Sequence, residues 1–278
     1  MPAISLVVCV YKERELLQRL LSGASGCYDD LVVVHDGPDT ENVREVAERA
    51  GGRFFEHPRV GSLEGQSPFA WGKASHDWIL RLDADEFPGE EMKSWLQAFR
   101  GQPAPAGDIS GYTCIWPLWD GKRMTTKNWP QGRIFLFNKQ SVRFFGLPEQ
   151  VPIPDGHFEP LPMILNHQPQ RPAYGIRNIL LRPQAARWRE LIAEKLCGKP
   201  TDLPCWRWDS DQWPPIWEGI RQRPLRTAMG RLTMGTFRVL RQQWRFDHTL
   251  FLSAAVTGSL HHALICVKYW KLQKKRGK

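Results

Sequence analysis

Along the first hundred residues, short apolar runs alternate with segments whose apolar residues recur at helical spacing. "ISLVVCVY" (residues 4–11) is mostly apolar and β-branched, the pattern of a strand buried on both faces. "KERELLQRLLSGASG" follows, with Leu16, Leu17, Leu20 and Leu21 at helical spacing and glycines behind them. "DDLVVVHDG" predicts a second buried strand ending in Asp36 and Gly37, and "TENVREVAERAGG" a second helix stopped by Gly51 and Gly52. "FFEH" predicts a third, short strand, "SPFAWGKAS" a third helix and "DWILRL" a fourth strand. This alternation predicts an α/β fold with a parallel sheet, in which ligands gather at the carboxyl ends of the strands. Tyr11, Glu13, Asp36 and the acidic group Asp83, Asp85 and Glu86 all fall at those ends.

From about Gly111 the rhythm changes. "GYTCIWPLW", "RIFLFN" and "VRFFG" are short strands broken by turns, which predicts antiparallel additions to the sheet. The many prolines between Pro148 and Pro172 predict an irregular, loop-rich segment. Beyond Pro172 the pattern is mostly helical, except for "PTDLPCWRWDSDQWPP", which is too rich in Pro and Trp for a regular element. The expected organisation is residues 1–110 and 111–172 as two halves of one α/β domain, then a helical region over 173–278.

Composition adds two constraints. With 278 residues, 42% of them hydrophobic, the chain has material for a large core and does not read as disordered. Its six cysteines show no CxxC pairing and no basic-then-apolar leader opens the sequence, so a reduced, cytoplasmic protein is expected. The net charge of +9 is unevenly placed: from Gly219 onward 13 Lys and Arg face Asp247 alone, giving the tail about +12 and the first 218 residues about −3.

Chemistry concentrates in "HDWILRLDADEFPGEEM", where an apolar run ends abruptly in Asp83, Asp85 and Glu86. Strand side chains alternate with a period of two, so Asp-x-Asp at a strand end places two carboxylates on one side of the chain. Together they can hold one hard cation. Magnesium and manganese bind through one or two carboxylates plus a substrate's phosphates, which suits a nucleotide diphosphate. The same residues also fit an exposed acidic turn before a helix, with Glu90 and Glu91 set against the helix dipole.

Taken together, these segments resemble the family 2 glycosyltransferases of the GT-A fold. "ISLVVCVYKE" looks like their first strand, "DDLVVVHDGPD" like their second with its Asp-Gly turn, and "DWILRLDADE" like their Asp-x-Asp strand. The similarity extends to the bacterial branch that glycosylates the lipopolysaccharide core, through "EGQSPFAWGKASHDWILRLDADEF", "RIFLFNKQSVRFFG", "LPEQV", "ILNH" and "VKYWKL" in the same order. The resemblance implies a GT-A domain whose nucleotide-sugar half is 1–110 and whose acceptor half is 111–172. It implies that Tyr11, Glu13 and Asp36 line the base and ribose pocket, and that Asp83 and Asp85 hold Mg2+ or Mn2+ and the diphosphate. Gln66 matches a Gln of the family, although the Lys-Asn pair that often follows is Ser67-Pro68 here.

Glu149 in "LPEQVPI" stands where the family carries the Glu that takes the acceptor proton, with Pro148 in place of the common His and Glu86 as the reserve candidate. His167 follows an apolar run at a strand end where family members often carry a His, and imidazole can complete a metal shell made mainly of carboxylate and phosphate oxygens. Arg133 before "IFLF" is placed to fork onto the diphosphate. Singly, each residue has a plainer reading: Asp36 as a turn residue, Glu13 as a charge at a helix start, Glu149 as a surface Glu in a proline-rich loop, His167 as a buried structural His, and Arg133 as a surface cation.

The tail raises a separate expectation. "TLFLSAAVTGSLHHALICV" (Thr249–Val267) has no formal charge over nineteen residues and is followed by Lys268, Tyr269, Trp270 and Lys271. It just reaches spanning length. Its His, Ser, Thr and Gly content and its two basic flanks point instead to in-plane attachment to an anionic membrane surface. A helical subdomain packing on the catalytic domain is the alternative. No nucleic-acid-binding motif accompanies the charge.

The combined expectation is an inverting, metal-dependent transferase attached to the inner face of the cytoplasmic membrane. It would move a sugar from a nucleotide diphosphate donor, UDP-linked, to a lipid-anchored glycan such as lipopolysaccharide core. The alternatives are a nucleotidyltransferase, for which "VYKERELLQ" lacks a glycine-rich phosphate loop, and an inactive membrane-bound scaffold of the same fold.

Overall fold

The computed structural model describes residues 1–105, 107–119, 124–128, 132–148, 150–168, 180–199, 201, 203–209, 213–243 and 249–276. The chain forms two compact units, Met1–Arg171 with Pro204–Trp208, and Pro172–Leu203 with Asp209–Lys278.

The first unit begins β1 (Ile4–Val10), α1 (Arg14–Gly23), β2 (Asp30–Asp36), α2 (Val43–Arg49), β3 (Arg53–His57), α3 (Leu63–Lys73) and β4 (Trp78–Arg81). It continues with β5 (Glu86–Pro88), α4 (Glu90–Gly101), β6 (Ile109–Ile115), β7 (Pro117–Trp119), β8 (Met124–Asn128), β9 (Arg133–Asn138), β10 (Val142–Arg143), β11 (Ile153–Pro154) and β12 (His157–His167). An eight-stranded sheet runs β3-β2-β1-β4-β9-β6-β12-β5. β1 is parallel to both β2 and β4, and β2 to β3, whereas β9 lies antiparallel between β4 and β6. The expected α/β GT-A class, a mostly parallel sheet with antiparallel additions and a helical C-terminal region, is the fold observed.

The apolar runs are continuous because both sheet faces are covered. Leu6, Val8 and Val33 pack with Leu17 and Leu20 of α1 and Leu96 of α4. Val7, Cys9, Val32 and Val34 point the other way, toward Ala70 and Trp71 of α3. With both faces dry, the polar groups of β1, β2 and β4 are left to the strand ends. α3 begins earlier than its sequence pattern suggests and carries Pro68 inside it.

One expectation needs correction. The proline-rich stretch between Pro148 and Pro172 is not loop throughout, since it contains β12, a strand of 11 residues. β12 is parallel to β6, and its ladder shifts between His157 and Phe158 and again between Pro160 and Ile164. The shift after Pro160 spans Pro162, so the prolines sit where the pairing is already irregular. β12 then pairs antiparallel with β5, setting His167 opposite Glu86. Among its described residues the Trp-rich segment supplies no regular element before Pro215, but Trp206 forms a bridge with Phe144 and stands edge-on to Trp71 at 5.9 Å.

The second unit is helical: α5 (Pro183–Leu196), α6 (Pro215–Gln222), α7 (Pro224–Gly230), a π-helical turn (Arg231–Gly235), α8 (Thr236–Gln243) and α9 (Thr249–Arg276). α9 packs against α5, α7, the π turn and α8. Among the described residues, no helix is long and apolar enough to cross a membrane. The six cysteines are free thiols.

Candidate active site

β4 delivers the acidic group. Beyond Arg81 the buried Leu82 and Ala84 enter the core, which leaves Asp83 and Asp85 facing away from it. A turn closes on them, with Glu86 N–H donating to the Asp83 carbonyl at 3.0 Å. The Glu86 side chain folds back and accepts from Asp83 N–H at 2.8 Å.

Glu86 is fully buried, and the group that makes this tolerable is Arg133 at the start of β9. Its Nε lies 2.9 Å from one Glu86 oxygen, and one terminal nitrogen donates to the other at 3.0 Å. The same nitrogen donates to Asp83 Oδ2 at 2.7 Å. Arg133 is only 14% exposed, so the surface-cation reading is excluded. Its guanidinium ties two carboxylates together from inside the fold. Burial raises the Glu86 carboxyl above its ordinary range, with Arg133 opposing. For Asp83, burial also pushes upward, but the charges of Arg133, Arg81 and His167 outweigh it and hold the carboxyl below the ordinary range. Burial works against the charged Arg133, yet Asp83 and Glu86 keep its guanidinium even more firmly protonated than usual.

Asp85 faces a different partner. Its Oδ2 lies 3.5 Å from His167 Nε2, and its carbonyl accepts from Gln168 N–H at 2.9 Å. His167 is buried and stacks on Trp116, ring centroids 4.2 Å apart. The β5–β12 pairing therefore brings His167 to the acidic turn. Glu13, just before α1, feels the same cluster: burial first, then the charges of Asp85 and Asp83, push its carboxyl up to about 7.

A second group lies at the ends of β1 and β2. Asp36 is buried, and its carboxylate accepts from Val60 N–H at 2.7 Å, Gly61 N–H at 3.0 Å and Gln66 Nε2 at 2.5 Å. Gln66 also donates to the Pro58 carbonyl at 3.0 Å. Both side chains thus pin the segment after β3, and Gln66 is turned into the fold. The strand exit at Gly37 has φ +98, and a side chain there would crowd Arg59. The Arg59 guanidinium lies 4.2 Å from the centre of the Tyr11 ring, a cation–π contact. His35 Nδ1 is 2.8 Å from the Gly37 carbonyl, and Lys12 N–H points at its Nε2 at 3.4 Å, so the tautomer with the proton on Nδ1 serves both.

The structure thus gathers Glu13, Asp83, Asp85, Arg133 and His167 with Glu86 at one strand end, and Tyr11, Asp36 and Gln66 at the next. Glu149 lies outside the described residues. Arg59, His35 and Trp116 were not singled out from the sequence. Arg59 had a weak signal as a base just beyond a strand's carboxyl end; Trp116 had none. Among the described residues, no three His, Cys, Asp or Glu side chains converge closely enough to hold an ion. Asp83 and Asp85 are the oxygen donors that a hard cation takes in company with phosphate oxygens, and their charges add to burial in raising the Glu13 carboxyl.

Comparison with known proteins assigns the front of the chain to a family. Residues 5–158 match the family model described as "Glycosyl transferase family 2". Over 97 residues the chain is 29% identical to an uncharacterized glycosyltransferase of Rickettsia felis, covering 35% of this chain and 34% of that protein. Over 97 residues it is 27% identical to a second, from Rickettsia typhi, covering 35% and 32%. The match therefore spans about a third of the length of these curated relatives. Among solved structures, a mycobacterial protein is similar over 72% of this chain and 76% of its own, with 17% identity and a TM-score of 0.44. Staphylococcus aureus TarS in complex with UDP-GlcNAc is similar over 44% and 36%, with 17% identity and a TM-score of 0.34.

Proposed function

The chain belongs to the family 2 glycosyltransferases, and on that premise we propose that it transfers a sugar, with inversion, from a UDP-linked donor to a lipid-anchored glycan of the lipopolysaccharide-core type. The observation that carries the donor half is the meeting of Asp83, Asp85, Glu13 and His167 at one strand end, where burial, and after it the charges of Asp85 and Asp83, push the Glu13 carboxyl up to about 7. The order of motifs shared with lipopolysaccharide-core enzymes supports the acceptor half.

Asp85 and Asp83, with His167 beside Asp85, would hold magnesium or manganese only together with the donor's phosphate oxygens, and the ion when bound would screen the charge of the leaving diphosphate. Arg133 holds Asp83 in place and neutralises Glu86, so the pair of acids keeps one geometry. Tyr11 and Arg59 offer a flat, cationic face for the base, beside the Asp36 anchor. An acceptor hydroxyl must lose its proton as it attacks the anomeric carbon from the side opposite the diphosphate. Glu149 is the proposed base. Glu86 is unsuited to that step, because it is buried and both of its oxygens face Arg133.

Thermal shift with a panel of nucleotide sugars, with and without manganese, tests the donor class. UDP with manganese is expected to stabilise the protein, and Asp85→Asn to abolish that shift while the protein stays folded; a shift that survives would move the metal elsewhere. Glu149→Gln is expected to lower transfer about 100-fold or more with donor binding retained. Full activity in that variant would remove Glu149 as the base.

A further inference from the structure

The uncharged run Thr249–Val267 suggests a membrane-facing helix, and the structure gives its described part another task. From Val256 onward α9 is a packing helix, with Thr257, His261, Ala263, Ile265, Cys266 and Tyr269 buried. Its partners are the other helices of its own unit. Large apolar side chains are left in water along the preceding stretch, where Leu225, Met229, Leu232, Met234 and Phe237 are exposed, Met229 to 69% and Phe237 to 60%; Leu180 and Leu181, just ahead of α5, are exposed too.

Their alignment depends on the π turn. In an unbroken α-helix the eight steps from Met229 to Phe237 would advance about 80° beyond two full turns. A π turn takes up one extra residue, which brings Phe237 back to within about 20° of Met229. Leu225, one turn before Met229, continues the row. Ala228, about 100° round the helix from Met229, is buried. Arg226, Arg238 and Arg241 are exposed alongside it. They belong to the segment in which 13 basic residues meet Asp247 alone.

From this arrangement we infer that Pro224–Gln243, rather than α9, is the docking surface for an anionic lipid bilayer, lying flat with its apolar row among the acyl chains and its arginines on the headgroup phosphates. Charge selects the occupant. A protein partner's apolar surface would satisfy the row, but the interleaved arginines need a dense field of anions beside an apolar layer, which an anionic leaflet supplies. The inference deepens the lipid-anchored acceptor reading above and rests on it only for the reason to be at a membrane.

Flotation of the full chain with vesicles of phosphatidylcholine alone or with phosphatidylglycerol tests it, at low and high salt. The protein should float with the anionic vesicles at low salt, weakly at high salt, and little with the neutral ones. Met229→Asp should lower partitioning about tenfold or more, and Phe237→Ser should lower it without any charge change. Gly258→Asp makes the same charge change as Met229→Asp at an exposed position of α9 where a side chain has room; it should partition nearly as wild type. Equal loss from Gly258→Asp, no loss from Met229→Asp and Phe237→Ser, or a wild-type chain that ignores anionic vesicles would each overturn the inference. Manganese–UDP thermal shift on the same variants keeps the two readings apart, since a docking variant should retain the shift and a failed donor reading would show none in wild type.

Discussion

Charge is used in opposite ways at the strand ends and along the α7–α8 stretch. At the strand ends Arg133 is buried against Glu86 and Asp83, and the His167 ring against Asp85, so each polar group faces a particular partner at a particular distance. Along α7 and α8 the arginines are exposed, beside large apolar side chains that are exposed as well. The difference lies in water. Where it is excluded, an unmatched charge costs several kcal/mol, so the geometry is fixed by its partners. Where it is present, charges are screened and nearly interchangeable, and the fold gains little from any one of them.

The contrast breaks most sharply at Arg133. Arg133→Met strands Glu86 in the interior and should cost about 3–5 kcal/mol of folding stability, read by denaturant unfolding. A loss below about 1 kcal/mol would show that the acids are not tied together through this guanidinium. Adding Glu86→Leu to that variant should recover part of the loss, because it removes the unpaired charge.

Glu13 gives the next effect, and its sign follows from its raised carboxyl. Moving from the ordinary 4.5 to about 7 in the folded protein, Glu13 contributes stability that is fully present below pH 4.5 and is lost as pH rises through 7. Glu13→Gln should therefore melt higher than wild type at pH 8 and close to it at pH 4. A variant that melts lower at pH 8 would mean that Glu13 is not repelled by Asp85 and Asp83. The smallest effect belongs to the exposed helix: Arg226→Ser or Met229→Ser should change stability by no more than about 0.5 kcal/mol. A larger loss would make that face part of the core.

These contrasts also mark what could be read from the sequence. β1, β2 and β4 were legible because burial on both faces writes a continuous apolar run, and Asp83 and Asp85 stood out because such a run ends on them. β12 was hidden by its prolines, which break local propensity while pairing across the sheet persists. The part played by Glu86 is fixed by a partner 47 residues later in the chain, and no local pattern carries that. Arg59 meets Tyr11 where Asp36 holds the next residue, Val60, by its backbone N–H. In the tail, charge and hydropathy favoured the longer uncharged run, but the helix that is enclosed by others is decided by tertiary packing.

The pairing of β5 with β12 has a consequence in time. Glu86 emerges early in synthesis, and His167 belongs to the last strand of the sheet. Contacts between distant parts of a chain form late, because the intervening loop must close before they repay its entropy. The front strands and helices can therefore assemble while the acidic turn still lacks its imidazole. In refolding experiments the far-ultraviolet signal of the helices should return before the capacity to bind UDP with manganese, and a chain released before residue 167 should gain the first without the second.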